Sequence, residues 1–121
     1  MSTGSFQHRV WQWVVACFPP SAHLNVQERN HRFLEEALEL AQASSCTKQE
    51  AHDLVEYVFG RAKGDVHQEV GGVMVTLAAL CNAAQIEMDE AAECELDRNW
   101  SHIDRIRAKQ ATKPQGSALP Q

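Results

Sequence analysis

The stretch from Val66 to about Ala84 restricts the fold more than any other. It carries Val70, Val73, Met74, Val75, Leu77, Ala78, Ala79 and Leu80, and Glu69 is its one acidic residue. At helical spacing these residues leave almost no polar face, and a helix that is hydrophobic nearly all round is expected to be the central, buried one. Asp65 is placed to cap it, with Gln68 three positions on as the partner. Gly71-Gly72 is unusual inside a helix, where each glycine costs about 1 kcal/mol relative to Ala. Two in a row predict close helix approach or space for a ligand. The short helices of a 121-residue chain can hardly cover so much apolar surface, so the chain is expected to complete its core as an oligomer.

The other segments read as helices too. Phe6, Val10, Trp13, Val14 and Cys17 share one side of a first helix, which Pro19-Pro20 ends. Ser21 to Gln27 reads as a connection. The next helix runs to about Ala43, with Phe33, Leu34, Ala37, Leu38, Leu40 and Ala41 at apolar spacing. Ser44-Ser45-Cys46 breaks that pattern. Thr47 and Glu50 have the spacing of a capping box ahead of Ala51, Leu54, Val55, Val58 and Phe59, and Gly60 suits a left-handed closing position. Arg61 to Gly64 is a turn. A last helix is expected from Met88 to about Gln110, with Glu87, Asp89, Glu90 and Glu93 at its start and Arg105, Arg107 and Lys109 at its end, the order a helix dipole favours. Residues 112–121 contain Pro114, Gly116 and Pro120 and read as a flexible tail. No strand pattern competes. The expectation is an all-α bundle of four to five helices in a single domain, residues 1–111.

Composition removes several function classes. The net charge is −5, whereas broad nucleic-acid binding wants a basic surface. No apolar run approaches the ~20 residues of a membrane span. Cys17, Cys46, Cys81 and Cys94 lack metal-finger or C-x-x-C spacing, so a reduced, cytoplasmic chain is expected. His23, His31, His52 and His67 carry no zinc-binding spacing either.

Chemistry is concentrated in two places. Arg32, Glu35, Glu36 and Glu39 fall on the face of their helix opposite the apolar stripe. Glu36 and Glu39 are one turn apart, where like charges repel by a few tenths of a kcal/mol. Such a face is either solvated and balanced by Arg29 and Arg32, or it holds a hard divalent cation through oxygen ligands. The second place is Glu69, a carboxylate beside apolar residues. It is either a first-turn glutamate favoured by the dipole or a group whose burial demands a cation.

Glu35-Glu36-Ala37-Leu38-Glu39 resembles the E-E-x-x-E helix of the MazG-like, all-α nucleoside triphosphate pyrophosphohydrolases. Glu69-Val70-Gly71-Gly72, followed by Val73-Met74-Val75, resembles the second motif of that family, E-x-G-D and aliphatic residues. The resemblance covers roughly residues 28–105, and it extends at both ends most fully to small phage-type members, some of which act on purine deoxynucleoside triphosphates. It implies that Glu36, Glu39 and Glu69 bind Mg²⁺ or Mn²⁺, that Glu35 or Glu36 takes a proton from the attacking water, and that the protomers assemble as a homodimer or homotetramer. Arg29, Asn30, Arg32, Lys63 and Lys109 are the candidate substrate contacts, with Arg61, Trp11 and Trp13 as further ones. The substrate implied is a nucleoside triphosphate rather than a nucleic acid polymer or a membrane. Two departures stand out. Gly72 occupies the position of an aspartate ligand, so that either Asp53, Glu56 or Asp65 replaces it or the site holds fewer ions, and Gln42 stands where relatives often carry Glu. Glu50-Ala51-His52-Asp53 offers an alternative second motif. A helical, oligomeric interaction protein with a degenerate metal site is the competing expectation.

Overall fold

Pro19 and Pro20 set the first bend of the chain. α1, Phe6–Cys17, starts at Ser5, whose hydroxyl accepts from the amide of His8 at 3.1 Å, and stops at the extended residue Phe18. Pro20 then opens a further four-residue helix, α2, Pro20–His23. Proline at the first helical position has no amide to leave unpaired and a φ already suited to the helix. The segment expected to be a plain connection therefore begins as a turn of helix. The computed structural model describes residues 4–112 and 117–120.

Among the described residues there are seven helices and no strand. The remaining five are α3, Val26–Ala43; α4, Lys48–Phe59; α5, Val66–Ala84; α6, Met88–Ser101; and α7, Ile103–Thr112. The all-α class is as expected, but the helix count of four to five was too low. The proposed last helix is two helices, broken at His102. The His102 ring Nδ1 lies 2.9 Å from the carbonyl of Arg98, and its amide is shared between the carbonyls of Arg98 and Asn99. The imidazole competes for the helix's own acceptor, and apolar periodicity does not register that. Among the described residues no single helix is long and apolar enough to cross a membrane. The expected tail starts where α7 ends; residues 113–116 and 121 lie outside the described ones.

The chain divides into two units, residues up to Leu40 together with those from Glu95 onward, and Ala41 to Cys94 between them. In the first unit Val14, Cys17, Ala22 and Leu96 are buried. Two edge-to-face ring pairs, with centroids 5.2 and 5.5 Å apart, pack the end of α1: Trp11 on His23 of α2, and Trp13 on Phe18 just past the helix. Burial pushes the Cys17 thiol above its ordinary pKa, against the pull of Arg107 and Arg29. Arg107 of α7 donates from Nε to the carbonyl of Ala16 at 3.0 Å and again from Nη2. That carbonyl belongs to the last turn of α1, where no intrahelical donor remains. Arg107→Ala is expected to lower stability by about 1–2 kcal/mol, the size of a charge-assisted hydrogen bond, read as a shift in denaturant midpoint at unchanged slope.

The second unit is built from local signals. Thr47 Oγ1 accepts from the amide of Glu50 at 3.1 Å, and Glu50 Oε1 accepts from the amide of Thr47 at 2.8 Å, the expected capping box. These bonds hold the Glu50 carboxyl below its usual range. Asp65 Oδ2 accepts from the amide of Gln68 at 3.0 Å. Gly60 closes α4 in the right-handed region, with φ −79°, so the left-handed expectation there is corrected. Its amide reaches the carbonyls of Glu56 and Val58, which a right-handed last turn allows. The left-handed residues are Ser45 and Gln85, each just past the end of a helix.

α5 is not buried. No residue of the second unit is buried, and Val70 and Val75 of α5 are 59% and 70% exposed. The apolar circumference is as the sequence indicates, but the unit offers α5 only α4 and the first turns of α6. Gly71 has no side-chain neighbour at its position, so no close helix approach explains it.

Candidate active site

α3 orders its charges along one face. At 100° per residue, Arg29, Arg32, Glu36 and Glu39 lie within about 80° of one another, arginines toward the N-terminus and glutamates toward the C-terminus. Asn25 holds the start of the helix, its Oδ1 accepting from the amide of Glu28 at 3.1 Å.

The acidic half lies near α6. Burial raises the pKa of Glu36, and repulsion from Glu39, Glu95 and Glu35 raises it further, while Arg98 opposes the shift. Arg98 is committed elsewhere: its Nε and Nη2 donate to both oxygens of Glu95 at 2.9 and 2.6 Å. That fork lowers the Glu95 pKa. Glu36, Glu39 and Glu95 therefore share a region in which negative charge exceeds positive, and an added cation would be stabilised there. Glu35 is turned toward the basic half, with its Oε1 3.7 Å from Arg32 Nη1. Among the described residues no three His, Cys, Asp or Glu side chains already converge as a metal-binding group.

The basic half contains partly buried guanidinium groups. Arg29 and Arg32 keep only 27% and 20% of their side-chain exposure. Arg29 lies over the Phe18 ring at 4.5 Å. Its Nη2 is 3.6 Å from Glu28 Oε1, and Arg32 Nε is 3.7 Å from the same oxygen, both too long for hydrogen bonds. Burial and the neighbouring Arg32 lower the Arg29 pKa. Arg32 Nη2 donates to the carbonyl of Ala118. Arg29 Nε and Nη2 and Arg32 Nε and Nη1 are buried without a hydrogen-bond acceptor.

Beside this half the first unit has an open cavity of about 580 Å³, between the end of α1, α2, the start of α3 and α7. Phe18, Gln27, His31, Arg107 and Gln110 are among its lining residues.

Glu69 belongs to the second unit, in the first turn of α5. A Cβ at Gly64 would collide with its carboxylate, and a Cβ at Gly72 would stand 3.8 Å from its Oε1. Gly64 thus permits the turn to pass close to Glu69, and position 72 adjoins the same carboxylate. Lys63 lies in the exposed turn between α4 and α5, and Arg61 stacks on the Tyr57 ring at 4.2 Å. Asn30 and Lys109 are exposed. Of the residues singled out by sequence, Glu35, Glu36, Glu39, Arg29 and Arg32 share one helix in one unit. Trp11 and Trp13 are engaged in ring contacts within that unit.

Glu95, Arg98, His31 and Gln110 were not anticipated. Glu95 and Arg98 have an ordinary i, i+3 spacing, and nothing local says that their turn faces α3. Compared with known protein families, characterised proteins and solved structures, the chain matches none.

Proposed function

We propose that this chain is a metal-dependent nucleoside triphosphate pyrophosphohydrolase, converting a nucleotide to its monophosphate and pyrophosphate, with purine deoxynucleoside triphosphates as the leading substrates. The supporting observation is the state of Glu36: a carboxyl whose pKa is raised by burial and by Glu39, Glu95 and Glu35. Hard oxygen donors with unbalanced negative charge fit Mg²⁺ or Mn²⁺. A bound ion would neutralise phosphate charge and acidify a bound water. Glu39 and Glu95, the latter oriented by its Arg98 fork, would hold the ion. Glu36, with a pKa displaced toward neutrality, is suited to accept the proton of the attacking water. Glu69 is a further ligand that the family resemblance implies. Arg29 and Arg32 would orient the phosphates. A second copy of the chain would cover the exposed apolar residues of α3, α4 and α5.

The test is pyrophosphate release from the eight common nucleoside triphosphates, with Mg²⁺ or Mn²⁺ and with excess chelator. Release from at least one nucleotide, abolished by chelator and restored by metal, is expected. No release from any, or release indifferent to chelator, overturns the reading. Gly72, in place of the family aspartate, favours the second reading of a non-catalytic oligomeric interaction protein with a degenerate metal site. That protein would neither bind Mn²⁺ at the Glu36 face nor release pyrophosphate.

A further inference from the structure

The cavity is not used by the metal-assisted chemistry above, and its character complements that of the arginines beside it, which that chemistry uses only to orient phosphates. The cavity, about 580 Å³, is within the size range of small-molecule sites and large enough for a base with its sugar. Its wall combines an aromatic ring, Phe18, with the amides of Gln27 and Gln110, the imidazole of His31 and the guanidinium of Arg107. An aromatic side chain among hydrogen-bond donors and acceptors makes a wall that a nucleobase can meet. The Phe18 ring is also the ring that carries the Arg29 guanidinium. From there the α3 face continues through Arg32 to Glu36, which lies about 6 Å further along the axis at 1.5 Å per residue.

Four buried arginine nitrogens make no hydrogen bond, three of them reaching a carboxylate, of Glu28 or Glu35, only at 3.6–3.7 Å; this is the second, independent observation. Buried polar groups are normally satisfied, and guanidinium N–H donors are matched in geometry by phosphate oxygens. Such oxygens would arrive with a nucleotide whose base enters the cavity and whose phosphates follow α3.

We propose that the first unit holds a nucleotide along α3: the nucleoside in the cavity, its α-phosphate at Arg29 and Arg32, and the distal phosphates toward Glu36 and Glu39. The proposal deepens the reading of the acidic cluster and rests on it for the direction of the phosphates, but it makes a demand of its own. The nucleoside end and the first phosphate are held by protein groups alone. A nucleoside monophosphate should therefore bind without any metal.

The test is calorimetric titration of the full-length chain, in excess EDTA, with the four 2′-deoxynucleoside 5′-monophosphates, with the free deoxynucleosides and with pyrophosphate. At least one monophosphate should bind, at least 10-fold more tightly than its nucleoside. Arg32→Gln should erase that phosphate advantage. Ala111→Trp, which fills the cavity from α7, should weaken monophosphate binding at least 10-fold while changing pyrophosphate binding less than 2-fold. Gln110→Ala is the milder variant should the tryptophan disturb folding by circular dichroism, with a 3-fold or greater loss expected. If no monophosphate binds in EDTA, or if both cavity variants bind it as the wild type does, the proposal is overturned. Pyrophosphate release on the same preparations separates the two readings. Binding without hydrolysis leaves the pocket standing and removes the enzyme. Hydrolysis with unchanged KM in the cavity variants does the reverse.

Discussion

Glu36→Gln is expected to reduce pyrophosphate release by about 10²-fold or more, the loss that follows removal of one transition-state interaction of ~2.7–4 kcal/mol, while making the metal-free protein more stable. The two effects share one cause. In the fold, the Glu36 carboxyl is partly desolvated and repelled by Glu39, Glu95 and Glu35, so it binds its proton more tightly than in the unfolded chain, where a glutamate titrates near about 4.3. Its ionisation therefore opposes folding. The penalty is complete above the raised folded pKa, shrinks as pH falls through that value, and is absent below the unfolded one. The stability advantage of Glu36→Gln should be present at pH 7 and gone below about pH 4. Thermal melts across that range, beside steady-state rates at pH 7, check both halves. Glu95 has the opposite sign. Its pKa is lowered by Arg98, so its contribution is present above the unfolded pKa and lost as pH falls through the folded one. A Glu36→Gln protein with wild-type turnover removes Glu36 from the chemistry. Glu69→Gln, in the second unit, is the companion measurement for the ligand that the resemblance implies.

The second large effect concerns self-association. Phe33, Leu34 and Leu38 of α3, Leu54 and Val58 of α4, and Val70, Met74 and Val75 of α5 are all about half exposed or more. Scattered exposed apolar residues are ordinary, but contiguous stretches of them mark interaction surfaces. The expected result is a dimer or tetramer at micromolar concentration by light scattering, with a denaturation midpoint that rises with protein concentration, as mass action requires. Val70→Asp with Val75→Asp should weaken association by about 10²-fold or more, since each places an unpaired charge in an apolar interface. A monomeric wild type at these concentrations, melting independently of concentration, would rule this out.

The helices were legible where their signals are local. Thr47 and Asp65 cap as their sequence positions suggest, because a capping bond spans three residues. What the sequence did not disclose depends on the third dimension. α5 has the composition of a core helix, but composition says nothing about whether the covering surface belongs to the same chain. The break at His102 depends on which carbonyl an imidazole reaches. Glu36 and Glu39 were visible as a pair because they are one turn apart. Glu95 was not, because its link to them crosses from α6 to α3. Arg107 was read as a complement to the dipole of its own helix, and it turns out to serve the end of another.

The order of charges along α3 has a consequence for how salt acts on the protein. Arg29 and Glu36 are seven residues apart, about 10.5 Å along the axis, close to the screening length of about 8–10 Å at physiological ionic strength. Under such conditions a phosphate at Arg29 senses the glutamates beyond it only weakly, while Arg32, about 6 Å along the axis from Glu36, still couples the two halves. In dilute buffer the screening length is roughly three times longer. An approaching polyphosphate then meets the whole chain, with its net charge of −5, before it meets the arginines. Moderate salt thus admits an anion to this protein faster than pure water does, the reverse of its effect on proteins that draw anions in through a net positive charge.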